Sequence, residues 1–456
     1  MAARIWMVVA AVPLSAGQIF LLDFDTYEGA VADSHTYTPT ERDQITAEMD
    51  AHFAPLGMSV TQTAPVGQPF STVFFNTAAA STSDGIDLGN RNPSDNAQVN
   101  AVTMLGVVDI VPPNITSEMI VRASVNVGMH EALHLLGARH QDAFALLGAG
   151  VPTSAVAAKY IPSYPGFAMA DLTERSFMSL TTLLGVTEEK LLADDLIIGT
   201  RSVIKAMMGD HVTVTQRLPG NQLPEDAQPV SVDTYEIPNT IPPGYEFPFF
   251  PGEDASTLVL TAGVAWIEGS IGPGDAPTLK NYFVLPVIGG RPYSIETYSE
   301  ILDYRTPFSP FDTSVAALRE LPGGGFGTLA YYTGSSSNSD GFEGSDSTIT
   351  DLPVPPVLTS MLVDVLPENG DLAGDYELLV YSILVEKLPE LTIERSGDDV
   401  VLSWPTTSDG FELEAKTDLG PGPWTRVPDA PVVDASFYRV TLPIIPDRRF
   451  FRLAKP

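Results

Sequence analysis

The spacing of apolar residues changes several times along the chain, and each change predicts an element. Residues 18–25 (QIFLLDFD) form a dense apolar run of strand length and read as a buried first strand. Thr38, Pro39 and Glu41 make a capping box with Pro at the first helical position. Ile45, Met49 and Phe53 follow at a spacing of four, predicting an amphipathic helix that stops near Pro55 and Gly57. Residues 58–63 and 71–76 read as strands, 78–100 as a polar loop, and 101–110 as a further strand with Gly106 as a bulge. A largely buried helix begins at Glu118, capped by Thr116 or Ser117, with Met119, Ile120, Ala123, Val127, Leu133 and Leu136 mostly at helical spacing. Residues 141–175 carry Pro152, Pro162 and Pro165 and read as irregular, and 188–208 reads as a closing helix capped by Thr187.

Beyond 215 the helical signals fade. Residues 218–251 are dense in Pro and read as a linker or as strands laid over a surface. From about 257, short β runs separated by Gly/Pro turns predict a β-sandwich, with strands at 264–271, 282–287, 293–298, 314–319, 328–332 and 376–383. Five more short strands follow, at 391–395, 400–405, 410–415, 424–427 and 449–453. The expected organisation is multidomain: a leader at 1–17, an α+β domain of mixed β-sheet and helix at 18–215, a linker at 216–256, and two all-β modules at 257–387 and 388–456.

The densest chemistry lies at the end of the helix beginning at 118. His130-Glu131-Ala132-Leu133-His134-Leu135-Leu136-Gly137-Ala138-Arg139-His140 has the spacing H-E-x-x-H-x-x-G-x-x-H. His130 and His134, four apart, share one helix face and can grip one metal ion. Glu131, about 100° round the helix, can act on water at that ion without being a ligand. Gly137 can adopt the left-handed conformation that ends a helix, letting the chain double back to bring in His140. Three protein ligands with an open fourth position is the catalytic zinc pattern. Only six His occur in the chain, and a chance match to all five fixed positions is on the order of one in a hundred thousand.

This motif resembles that of the metzincin zinc peptidases, which combine it with a Met-turn. The resemblance implies His130, His134 and His140 as zinc ligands and Glu131 as general base. It implies Met178, in Ser176-Phe177-Met178-Ser179, as the Met-turn, with Met169 as the second choice. Leu180 departs from the Tyr that several of these families carry two residues after the Met, so no Tyr is assigned a stabilising role. Asp142 is placed to brace the turn or a ligand imidazole; the alternative is a solvated loop carboxylate. In the family, the last strand before the zinc helix borders the cleft and pairs with extended substrate. Residues 281–285, 289–297 and 311–315 are similar to the bacterial pre-peptidase C-terminal domain, and 388–456 resembles a small fibronectin-like module. In that last module Trp404 and Trp424 read as core, and Arg448, Arg449 and Arg452 as a local basic patch. The polar loop 335–346 offers oxygen donors for Ca²⁺, though a plain solvated loop has the same composition.

Charge and cysteine content narrow the picture. The net charge is −33, from 24 Lys+Arg against 57 Asp+Glu, which disfavours a nucleic-acid partner. The absence of Cys removes disulfides, thiolate metal sites and a Cys latch on the zinc. Arg4, the apolar run 5–14 and the small residues 15–17 read as a secretory leader, too short to span a bilayer comfortably. Export without Cys points to a bacterial secreted protein. The expectation is therefore a secreted zinc endopeptidase acting on protein or peptide substrates, without a membrane span. The alternative is an extracellular adhesion or binding protein whose zinc domain is catalytically idle.

Overall fold

A computed structural model of the chain describes residues 17–26, 35–76, 81–144, 147, 170–180, 185–247, 249–272, 275, 280–299, 313–322, 324–333, 347–367, 374–387, 389–406, 410–417, 424–445 and 449–454. The expected leader through residue 16, Met169, the loop 335–346 and Arg448 lie outside them. The architecture is mixed α+β, mostly strand, with several separate sheets and no closed barrel among the described residues. Contacts divide the chain into two compact units: residues 1–256 with 260–385, and 257–259 with 386–456.

In the first unit, β1 (Ile19–Asp23) alternates, burying Phe20 and Leu22. It pairs in parallel with β2 (Ser59–Thr61) on one side and β3 (Ser71–Phe75) on the other. β3 continues in parallel to β5 (Asn96–Val99), and the two-residue β4 (Thr82–Ser83) closes the edge antiparallel, giving the order β2-β1-β3-β5-β4. Helix α1 (Pro39–Phe53) begins with the expected capping box and buries Ile45, Met49 and Phe53 along one stripe.

Two expectations fail in this region. Residues 101–110 are not a strand: α2 (Ala101–Val107) occupies most of them, and the strand lies just upstream as β5, inside the expected polar loop. The Asn100 side chain decides this by accepting the Thr103 amide at 3.0 Å, so it caps a helix whose buried residues, Ala101 and Leu105, are four apart.

Helix α3 (Ser117–His134) carries the His motif. Thr116 caps it, accepting from the Met119 amide at 3.2 Å, and almost every side chain from Ile120 to His134 is buried. After the short α4 (Ala170–Glu174), the expected closing helix is interrupted. It is α5 (Glu188–Leu191), capped by Thr187, and α6 (Thr200–His211), with non-helical chain between. Asn126 of α3 donates to the carbonyls of Leu191 and Ala193, ending α5. Ile197 exchanges backbone hydrogen bonds with Arg175 and Phe177, which a helix could not do.

β6 (Val214–Gln216) comes just before the Pro-dense stretch, which supplies β7 (Gln228–Pro229) and β8 (Asp233–Ile237). The following strands are β9 (Leu258–Ile271), β10 (Asn281–Pro286), β11 (Pro292–Tyr298), β12 (Thr313–Glu320), β13 (Phe326–Thr333), β14 (Thr348–Pro353), β15 (Ser360–Pro367) and β16 (Gly374–Lys387). All six strands expected here are present, joined by β14 and β15. They form two sheets, ordered β13-β12-β15-β10-β7 and β14-β11-β16-β9-β6, with β8 on β9. One apolar core is shared by both, with Phe283, Val363 and Val365 from the first sheet and Ile267, Ile295 and Leu378 from the second.

The second unit holds β17 (Thr392–Ser396), β18 (Asp399–Pro405), β19 (Glu412–Lys416), β20 (Thr425–Arg426), β21 (Val432–Asp434), β22 (Phe437–Pro443) and β23 (Phe450–Ala454). Its sheets, β17-β18-β22-β21 and β20-β19-β23, close over Leu402, Trp404, Leu413, Val440 and Leu442. Trp404 is thus core, as expected. The Arg452 guanidinium lies over the Trp424 ring, 4.6 Å from its centroid, and bonds Glu414.

Candidate metal centre

Helix α3 ends in a turn that reverses the chain. The Ala138 amide donates to the Leu133 carbonyl and the Gly137 amide to the His134 carbonyl, a Schellman-type closure. Gly137 has φ +90°, and a Cβ there would meet Leu88 Cδ1 at 3.1 Å and Leu88 Cα at 3.2 Å. Glycine is needed both for the backbone conformation and for the space. The reversal delivers His140 into a single helical turn, His140–Ala143, beside the two helix-borne histidines.

His130, His134 and His140 are each at most 6 % exposed, and their Nε2 atoms form a small triangle. The edges are 3.2 Å (130–134), 3.1 Å (134–140) and 3.3 Å (130–140). A tetrahedral zinc with Zn–N bonds of about 2.0–2.1 Å requires N–N edges of about 3.3–3.4 Å. This is the one cluster of three or more His, Asp or Glu side chains with metal-ligating geometry among the described residues.

The ring orientations agree with ligation. His130 Nδ1 lies 2.9 Å from the Phe177 carbonyl oxygen, and His134 Nδ1 lies 2.8 Å from that of Ala138. A carbonyl oxygen only accepts, so each Nδ1 carries the hydrogen and each Nε2 turns a lone pair to the shared centre. Burial, reinforced by the neighbouring His140, lowers the His134 pKa to about 3 against the opposing pull of the Ala138 carbonyl. His134 is therefore neutral at pH 7, as a ligand must be. Three buried imidazole nitrogens are a donor set consistent with zinc.

Glu131, one residue after His130 on α3, is also buried. Met178 is fully buried in a one-turn helix, Phe177–Ser179, capped by the Ser176 hydroxyl, which accepts the Met178 amide at 3.3 Å. The preceding residue supplies the carbonyl that holds His130. Leu180 is buried as well. Asp142 is no solvated carboxylate: it is 1 % exposed, accepts the Arg139 amide at 2.7 Å and receives Lys205 Nζ at 2.9 and 2.7 Å.

Sequence reasoning missed three side chains around this turn: Arg139, Lys205 and Glu296. All are buried, and Lys205 bridges Asp142 to Glu296 Oε2 at 2.8 Å. Arg201 and Lys205, four apart on α6, were the available signal, two cations on one helix face. Their carboxylate partners lie at sequence separations of 63, 91 and 150 residues and have no local signature.

No protein-family model matches this sequence, and no curated protein matches it.

Proposed function

We propose that the chain is a secreted zinc-dependent endopeptidase of the metzincin type. The observation that carries this reading is the buried Nε2 triangle of His130, His134 and His140 with Glu131 beside it on α3. His130, His134 and His140 would hold a zinc ion, which when bound would supply Lewis acidity, lowering the pKa of water towards about 7 and polarising the scissile carbonyl. The Glu131 carboxylate takes a proton from the attacking water and passes it to the leaving amine as the C–N bond breaks. The Phe177 and Ala138 carbonyls keep His130 and His134 in the tautomer that presents Nε2. Phe177 is held in turn by its backbone pairing with Ile197, which supports Phe177–Ser179 as the Met-turn beneath the site.

The edge strand β4, antiparallel to a parallel sheet, is the segment available for pairing with extended substrate. The cationic Arg4, the apolar run 5–14 and the small residues 15–17 support export, and the all-β regions after 257 support the resemblance to bacterial secreted multidomain proteins. The deciding experiment is digestion of casein or a peptide library by the zinc-loaded full chain, with and without chelator. Glu131→Ala is expected to keep fold and zinc while losing about 10²–10⁴-fold in hydrolysis. Unchanged hydrolysis in that variant, or none by the wild type, overturns the reading.

A further inference from the structure

The segment that delivers His140, residues 139–144, is held at both ends by a buried polar network that reaches into the two-sheet region. At its start, Arg139 is 2 % exposed; its Nη2 donates to the Thr297 carbonyl at 2.6 Å and its guanidinium lies over the Tyr298 ring, 3.5 Å from the centroid. Arg139 Nη1 also lies 3.9 Å from Glu296 Oε2. In the middle, Asp142 closes the turn onto the Arg139 amide and is tied through Lys205 to Glu296. At the end, the Phe144 carbonyl accepts Arg201 Nε at 3.0 Å, while Arg201 donates to Ser294 Oγ at 2.8 Å and Asp351 Oδ2 at 2.6 Å. Thr297, Glu296 and Ser294 all belong to β11, and Asp351 to β14 beside it.

Glu296 is the node of this network. Its Oε2 accepts from Lys205 and from the Tyr298 hydroxyl at 2.8 Å each, and its Oε1 accepts from the Tyr381 hydroxyl of β16 at 2.5 Å. Among the described residues, three cations (Arg139, Arg201, Lys205) face three carboxylates (Asp142, Glu296, Asp351) in this buried cluster. Such an arrangement is costly to break, because each partner removed leaves a buried charge uncompensated. It also fixes geometry, since every member has few alternative positions.

We propose that Glu296, acting through Lys205, Asp142 and Arg139, is a positioning residue for the third ligand, His140, so that the two-sheet region is an integral part of the metal site rather than an appended module. His130 and His134 are carried by α3, with their rings oriented by the Phe177 and Ala138 carbonyls. His140 is placed by a turn held directly by Thr297 of β11 and by Arg201 and Lys205 of α6, with β14 and β16 securing those partners in turn. Loss of these anchors frees His140 selectively. The inference rests on the metal site proposed above and does not depend on the proposed hydrolysis.

The test is zinc affinity of the full chain, read by competition with a chelating dye, in a cycle of Glu296→Gln and His140→Ala. Glu296→Gln is expected to weaken zinc about 10–100-fold, as supporting partners of metal ligands do. In the His140→Ala background the same change is expected to alter affinity less than about two-fold, because it acts through the ligand already removed. The Co²⁺ absorption spectrum of Glu296→Gln should shift towards that of His140→Ala. Tyr381→Phe deletes one hydroxyl, should give a smaller loss of the same kind, and answers the question if Glu296→Gln does not fold. Glu41→Gln, which alters a buried carboxylate on α1, should lower stability with zinc affinity unchanged. The proposal is overturned if Glu296→Gln, or Tyr381→Phe in its place, binds zinc like the wild type, or weakens it equally in the His140→Ala background. A wild type that binds zinc but cleaves nothing overturns the proposed activity alone; one that binds no metal overturns both.

Discussion

Lys205→Met isolates the energetics of the network behind the metal turn. Lys205 is fully buried, and its Nζ lies 2.9 and 2.7 Å from the two Asp142 oxygens and 2.8 Å from Glu296 Oε2. Met reproduces most of the aliphatic stem, so the packing loss should stay below about 1.5 kcal/mol. The larger loss is electrostatic, since two carboxylates are left buried with one cation fewer. Removing one partner of a buried pair costs about 3–5 kcal/mol. Against a usual stability of about 5–15 kcal/mol that is a large fraction, and a urea midpoint should fall by about 1 M or more. The assay is urea unfolding of wild type and variant, both in excess chelator so that metal binding does not contribute.

A pH series sharpens the test. Burial, reinforced by the neighbouring Glu296 carboxylate and only partly relieved by Lys205, already pushes the Asp142 carboxyl above its ordinary range. Glu296, which burial would also raise, is instead held down to about 2 by Lys205 and Arg139, with Tyr381 adding a hydrogen bond. Removing Lys205 raises Asp142 further. A carboxyl whose folded pKa lies above its unfolded value destabilises fully above the folded pKa, and the penalty fades as pH falls through it. The gap between Lys205→Met and wild type should therefore be widest at neutral pH and narrow on acidification. A gap below about 1 kcal/mol at pH 7, or one that widens as the pH falls, would refute the argument.

Two further predictions concern the start of α1 and the turn that ends α3. Glu41 is buried and accepts from Ser117 Oγ at 2.6 Å, His35 Nε2 at 3.0 Å, and the Thr38 amide and hydroxyl at 2.8 and 3.0 Å. Burial alone would raise its pKa, but the hydrogen bonds from Ser117, His35 and Thr38 win and lower it from 4.5 to about 2. Its contribution of about 3 kcal/mol should be complete above pH 4.5 and disappear as pH falls towards 2, so unfolding free energies of wild type and Glu41→Gln should converge in acid; parallel curves would contradict this. Gly137→Ala must hold a Cβ at φ +90° against Leu88, costing about 1–2 kcal/mol for the backbone alone. Thermal unfolding and zinc titration should both register the change; a variant equal to wild type in both would show that the turn does not need glycine.

The candidate metal centre was legible in the sequence because its ligands are local. Four-residue spacing puts His130 and His134 on one face of α3 whatever the rest of the chain does, and a left-handed glycine three residues on is enough to return His140. The Thr38–Glu41 capping box and the short apolar runs between turns likewise marked α1 and most strands, since those signals lie within a few residues of each other. The misread elements are those where a distant or single polar group overrules local pattern. Asn100 turns an apolar run into α2, and Asn126 with Ile197 breaks what spacing alone makes one closing helix. What only the tertiary structure decided is the burial of Lys205, Glu296 and Arg201, charged residues that composition assigns to solvent. Their partners come from strands up to 150 residues away, and no local spacing encodes a pairing at that distance. The identity of the candidate metal ligands is thus a property of eleven consecutive residues, whereas the hold on His140 exists only once β11, β14 and α6 have packed against the turn.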